Sequence, residues 1–168
     1  GPILARILKT VSRKAVVGVT TKYLDDLANK LIKEAGSKPA FLNYHPDDAE
    51  RPYPASLIIS INEEVVHGIP GSRKLKDGDI VSLDLGLNFE GVFLDHAVTV
   101  AVGKISAKDK ELLSVTEMAL YAGIEAIVVP GGTIGDIGYA IESTIKRKKF
   151  GIVRTLSGHG VGRAIHED

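Results

Sequence analysis

Ile80-Val81-Ser82-Leu83-Asp84-Leu85-Gly86-Leu87, then Asn88-Phe89-Glu90-Gly91, then Val92-Phe93-Leu94-Asp95-His96-Ala97-Val98-Thr99-Val100-Ala101-Val102, is the stretch whose reading decides the fold. Apolar and polar residues alternate on either side of a turn that ends in glycine, which predicts a hairpin with strands at 80–87 and 92–102. If the ribbon is symmetric about Asn88–Gly91, Asp84 sits directly opposite Asp95. Opposed side chains have Cβ atoms ~4.5–5.5 Å apart, and like charges there are destabilising. Two carboxylates so placed share a proton, face solvent or bind a cation. Solvent is the less attractive answer, because Val81, Leu83 and Leu85 alternate with Asp84 while Leu94, Val98 and Val100 surround Asp95. Asp is also a poor strand former. A one-residue bulge would send the acids to opposite faces, so the hairpin alone leaves a metal site and a solvated pair both open.

Upstream of the hairpin, Ile3, Leu4, Ile7, Leu8 and Val11 recur at helical spacing behind Pro2. Gly18 interrupts, and Thr20 or Thr21 caps a second helix with the stripe Leu24, Leu27, Ala28, Leu31 and Ile32, stopped by Gly36. His45–Pro54, with three prolines and three acids, reads as an exposed loop, and Ser56–Ile61 as a strand. Downstream, Ser106 with Asp109 resembles a capping box before a helix of about 107–129. Pro130-Gly131-Gly132 breaks it, and Thr133 with Asp136 caps a further helix carrying Ile134, Ile137, Ile141 and Ile145. That helix ends in Lys146-Arg147-Lys148-Lys149, cations where the macrodipole is negative. Ile152–Leu156 reads as a short strand before the glycine-rich loop Ser157–Gly162.

The chain also looks doubled. Gly18-Val19-Thr20 with Leu24, Leu27, Ala28 and Ile32 matches Gly131-Gly132-Thr133 with Ile137, Ala140, Ile141 and Ile145 at one constant offset. The first copy is followed by a complete hairpin, whereas the second reaches only one strand and a loop. The expectation is one domain over 1–168, its first repeat about 1–103 and its second, about 104–168, incomplete. An opening Gly-Pro and an ending at His166-Glu167-Asp168 suggest a piece of something longer.

Composition narrows the function classes. Lys and Arg number 21 against 21 Asp and Glu, so charge gives no reason to expect nucleic acid or an anionic membrane as partner. The early basic residues, Arg6 to Lys38, are spread at helical spacing as a solvated face. The absence of cysteine excludes disulfides, thiolate zinc sites and a cysteine nucleophile, and fits a reducing cytoplasm. No apolar run reaches the ~18–20 residues of a membrane span. There is no H-E-x-x-H and no G-x-S-x-G, and Pro130–Gly135 lacks dinucleotide or P-loop spacing.

Among the histidines, His159 lies between glycines in Ser157–Gly162, where the backbone can present a ligand from a loop. His67 ends Val65-Val66-His67, where a strand breaks at Gly68 and Pro70. His166 follows His159 by seven residues, and His45 sits exposed in the acidic loop. His96, next to Asp95, points to the other face of a regular strand.

Three segments together resemble the type I methionine aminopeptidases, which share the α/β pita-bread fold with creatinase and proline-specific aminopeptidases. They are Pro54–Pro70 around His67, Leu75–Gly86 around Asp84, and Gly158–Gly162 through His166-Glu167. The resemblance implies a metal-dependent aminopeptidase that removes N-terminal methionine from new polypeptides by metal-activated water attack on the first peptide bond. It implies Asp84, Asp95 and His159 as ligands of two divalent ions (Co, Mn, Fe or Zn), with Asp95 bridging. His67 would bond the scissile amide and His166 the substrate carbonyl region, while Tyr44 and Tyr53 fall where the family walls its methionine pocket. It further implies a cytoplasmic monomer, the N-terminal peptides of nascent chains as substrate, and the ribosome as a candidate partner.

This sequence departs from that pattern at Leu94 and His96, where relatives carry small residues about the Asp. The family takes two further ligands, both glutamates, from strands beyond the glycine loop. Residues 1–168 do not reach them, so a C-terminally truncated site with weak metal affinity and little or no turnover is expected. Two other readings stay open: a proline-specific peptidase of the same fold, and a non-catalytic peptide-binding module.

Overall fold

Two helices on one face of a small antiparallel sheet hold the hairpin in place. The structure, a computed structural model, describes residues 1–46, 49–128, 130–148 and 150–167. Asp47 and Asp48 of the acidic loop, Val129 at the end of the third predicted helix, Lys149 of the basic run and Asp168 lie outside the described residues. Two compact units are distinguished, Gly1–Ile105 with His159–Asp168, and Ser106–Gly158.

In the first unit, α1 (Pro2–Ser12) and α2 (Thr21–Glu34) follow the predicted spacing. Thr20 is the cap of α2, its side chain accepting from the Tyr23 N–H at 3.2 Å. Gly36 ends α2 at φ 70°, a left-handed torsion that favours glycine, and Ser37 N–H donates back to Ile32 O. The sheet contains β1 (Lys38–Pro39), β2 (Ile58–Ile61), β3 (Ile80–Phe89) and β4 (Val92–Ala101), with β3 pairing all three others antiparallel. β1 was not expected, and its proline confines it to two residues at an edge. The predicted strand from Ser56 is shorter by two residues, and Val65–His67 lies in a loop rather than at a strand end.

The odd positions of β3, Val81, Leu83, Leu85 and Leu87, join Leu4, Ile7, Leu8, Val11, Leu24, Ala28 and Ile32 in one core. Each Val, Leu or Ile side chain so buried contributes roughly 1.5–3 kcal/mol. The even positions, Ser82, Asp84 and Gly86, therefore face the other way. There a smaller cluster forms from Ala40, Phe41, Ile58 and Ile165, with Tyr44, Tyr53 and Phe93 against it.

The hairpin register corrects the expected opposition of the two acids. The turn is only Glu90-Gly91, with φ 52° and 87°, so Asp84 pairs with Ala97 and Asp95 with Gly86. Asp84 and Asp95 are diagonal neighbours on one face, within reach of each other across a pleated ribbon. Gly86 makes that face usable. A Cβ there would meet the Phe41 ring at 2.7 Å and Ala40 Cβ at 3.0 Å.

The second unit contains α3 (Ala107–Ile127) and α4 (Ile134–Lys146), which pack together, with Gly123 fitting against Ile137 and Ile141. Ser106 caps α3 and Thr133 with Asp136 forms a full capping box on α4. Ile152–Leu156 is not a strand. Among the described residues no strand in this unit is available to satisfy its backbone, and an unpaired strand is not stable.

Gly86→Ala should cost roughly 1–3 kcal/mol through overpacking against Phe41. Urea unfolding would measure it, and a midpoint unchanged from wild type would mean that Phe41 is not held there.

Candidate metal centre

Asp84 carries the unusual electrostatics of the molecule. It projects from the middle strand, and its Oδ1 is buried with no hydrogen-bond partner among the described residues. Burial first, then the charge of Asp95 and a hydrogen bond to it, push the Asp84 carboxyl up to about 7. A buried carboxylate oxygen without a donor is costly, and a second carboxylate beside it compounds the cost. A shared proton relieves this in part; a divalent cation relieves it fully.

His159 comes from the loop that follows the second unit. Its Nε2 is 3.9 Å from Asp95 Oδ2, and its Nδ1 is 3.0 Å from Gly160 O. Donation from Nδ1–H to that carbonyl leaves the Nε2 lone pair facing the Asp95 carboxylate, the usual arrangement of an imidazole ready to ligate. The loop is anchored four ways. Gly160 and Glu167 exchange backbone hydrogen bonds of 2.8 and 2.9 Å. The Glu167 carboxylate accepts from Arg163 and Ala164 N–H at 2.6 and 2.9 Å. Phe93 N–H of β4 donates to Gly162 O at 2.7 Å, and Ile165 is buried in the smaller cluster.

These residues line a cavity of about 600 Å³ that also contains His67, His166, Tyr44 and Tyr53. His166 stacks edge-on against His159, with centroids 4.3 Å apart, and its Nδ1 is 2.7 Å from the Tyr44 hydroxyl. Burial, then the neighbouring His159, hold His166 below the ordinary histidine range, against the pull of Asp95. Tyr53 donates to Gly68 O at 2.8 Å and to Leu57 O at 3.3 Å. Burial and the charges of Asp25 and Asp84 raise its phenol above the usual range. His67 is exposed at φ 61°, while a Cβ on the adjoining Gly68 would meet Ile59 O at 2.1 Å. His96 pairs with Leu85 on the opposite face, and His45 bonds Ala49 O outside the cavity.

All seven residues singled out from sequence therefore border one cavity. Among the described residues, no three His, Asp or Glu side chains are already drawn to metal-holding distances. The donor set nevertheless fits a divalent cation, through the orphaned Asp84 oxygen, the adjoining Asp95 and the free Nε2 of His159. Sequence reasoning missed Phe41 and Ile58, which supply apolar wall to the cavity, and Ile165, which is buried in one cluster with them. An apolar residue just before His166 was the available signal for Ile165. Phe41 over Gly86 left none, since only the fold brings them together.

Over 99% of its length the chain is similar to a solved methionine aminopeptidase from Rickettsia prowazekii, with TM-score 0.92 and 37% identity, covering 64% of that chain. The fold is the α/β pita-bread fold of metallopeptidases. The sequence model of metallopeptidase family M24 matches residues 1–168, and the chain belongs to that family. It is 42% identical over 168 residues to methionine aminopeptidase 1 of Bacillus subtilis, and 43% identical over 167 residues to the methionine aminopeptidase of Aquifex aeolicus. It covers 100% and 99% of itself in these matches, and spans 65% and 64% of those relatives' lengths.

The raised Asp84 has a stability consequence. A carboxyl whose folded pKa exceeds its unfolded value stabilises fully below the unfolded value and loses that contribution as pH rises through the folded one. The metal-free chain should therefore lose stability between about pH 4 and pH 7. Asp84→Asn, which cannot ionise, should gain on wild type by roughly 1–3 kcal/mol from pH 5 to pH 8 in chelator. Parallel stability curves for the two proteins would contradict the buried pair.

Proposed function

We propose that the protein is a metal-dependent aminopeptidase acting on N-terminal methionine of newly made polypeptides, and that Asp84, Asp95 and His159 supply metal ligands. The observation that carries this reading is the buried, unpartnered oxygen of Asp84 beside Asp95, on a face reached by the His159 Nε2. Two divalent ions, when bound there, would supply Lewis acidity and a water of lowered pKa. Oxygen and imidazole donors without sulfur suit Co, Mn, Fe or Zn.

The chain's own residues do the rest. His67, held on a loop at the cavity edge, donates to the scissile amide. His166 donates to the substrate carbonyl, where negative charge develops. Tyr44 and Tyr53, with Phe41 and Ile58, form an apolar recess of a kind that takes an unbranched side chain such as methionine. The substrate is the free N-terminus of a nascent chain, and contact with the ribosome would place the enzyme where such termini emerge. The reading includes one catalytic domain built of two repeats. Its support is that Thr20 and Thr133, at the duplicated positions, each accept from the N–H three residues on. A monomer in the cytoplasm completes the proposal. Among the described residues, no helix is long and apolar enough to cross a membrane.

Isothermal titration with Mn²⁺ or Co²⁺ tests the site on this chain. Binding should be present in wild type and lost in Asp95→Asn; identical traces would favour a peptide-binding module without metal. With metal present, Met-Ala peptides should be engaged in preference to X-Pro peptides. The reverse preference would move the reading to a proline-specific peptidase.

A further inference from the structure

The Tyr44 hydroxyl lies 2.7 Å from His166 Nδ1, joining residues 122 positions apart. The two rings are tilted at 55° with centroids 5.1 Å apart, so the contact is made by the hydroxyl rather than by face-to-face stacking. Each end is fixed independently. Tyr44 N–H donates to Phe41 O, and Tyr44 O accepts from Tyr53 N–H, both closing the backbone at the root of the loop. His166 is flanked by buried Ile165 and by Glu167, whose backbone is paired with Gly160. The hydroxyl therefore meets a nitrogen placed for it by other interactions.

A phenol is a stronger acid than a neutral imidazole, and an imidazole nitrogen is a stronger base than a phenol oxygen. The favoured polarity is O–H···N, and 2.7 Å is an ordinary length for a hydroxyl donor. We infer that Tyr44 holds His166 in the tautomer that carries its hydrogen on Nε2. Tyr44 is thus a positioning residue that acts through His166, as well as a wall of the apolar recess.

The consequence is a division of labour between two adjacent imidazoles. His159, with Nδ1–H given to Gly160 O, turns a lone pair toward Asp95. His166, 4.3 Å away, turns a hydrogen into the same cavity. A lone pair on His166 Nε2 would compete for a cation; a hydrogen there cannot ligate and instead serves an oxygen acceptor such as a peptide carbonyl. The catalytic meaning of this assignment rests on the aminopeptidase reading above, whereas the tautomer does not.

Long-range ¹H–¹⁵N spectra of the histidine rings would decide it, on the metal-free chain without peptide, with His166 assigned through His166→Gln. Wild type should show His166 with hydrogen on Nε2, and Tyr44→Phe, which keeps the ring, should show a severalfold larger Nδ1–H population. Hydrogen on Nδ1 in wild type, or an unchanged tautomer ratio in Tyr44→Phe, would overturn the inference. Should Tyr44→Phe unfold, the wild-type spectrum alone still decides. A failed tautomer leaves the metal titration untouched, and a failed titration leaves the tautomer untouched.

Discussion

Two carboxylates on one face of a single β-ribbon set the terms for the rest of this structure. At a separation of ~4 Å and an effective dielectric of ~20, two full charges repel by about 4 kcal/mol. That is a large share of the roughly 5–15 kcal/mol by which a domain is stable. The opposite face of β3 carries the offsetting burial, since Val81, Leu83, Leu85 and Leu87 are all fully buried against α1 and α2. The middle strand thus has one face that stabilises the sheet and one that strains it. Asp84 is tolerated because its neighbours on the ribbon are fixed by the first face.

The same logic explains why a loop histidine can be part of such a site. Loops are usually the mobile parts of a fold, and a ligand must be held to within about half an ångström. Residues 159–167 are held through contacts that are individually ordinary: a backbone bridge, a carboxylate over two amides, one hydrogen bond to β4 and one buried isoleucine. Gly162 fits this arrangement tightly, as a Cβ there would come within 2.8 Å of the Glu167 carboxylate. Glu167 is therefore a staple of the loop.

The helices were legible in the sequence because their signals are local: Pro2 at an entry, Thr20 and Thr133 at caps, Gly36 at an exit. The hairpin was legible in its existence and not in its register. Centring the turn on Asn88–Gly91 was reasonable, because Glu90 is a poor candidate for the positive φ that a two-residue turn demands of both its residues. The register moved by two residues, and side chains alternate with period two, so Asp84 and Asp95 kept their shared face. A slip of one would have removed the site. What could not be read was whatever depends on distant segments meeting, such as Phe41 over Gly86, Ile165 in the small cluster, and the failure of Ile152–Leu156 to find a strand partner.

His67 shows where local preference gives way to the site. A histidine at φ 61° is in a sparsely populated torsion, of a kind that costs about 1–3 kcal/mol and persists only where its surroundings impose it. The surroundings here are explicit. Gly68 is wedged so closely on Ile59 that no side chain fits, its N–H donates to Ser60 Oγ at 3.2 Å, and its carbonyl accepts from both Ile59 N–H and Tyr53. Strand β2 thus holds the peptide that follows His67, and the imidazole is left at the cavity with its backbone fixed. A residue kept only for packing would be buried, yet His67 is exposed. The strained torsion is thus retained at an exposed side chain that lines the same cavity as Asp84 and Asp95, where packing alone does not account for it.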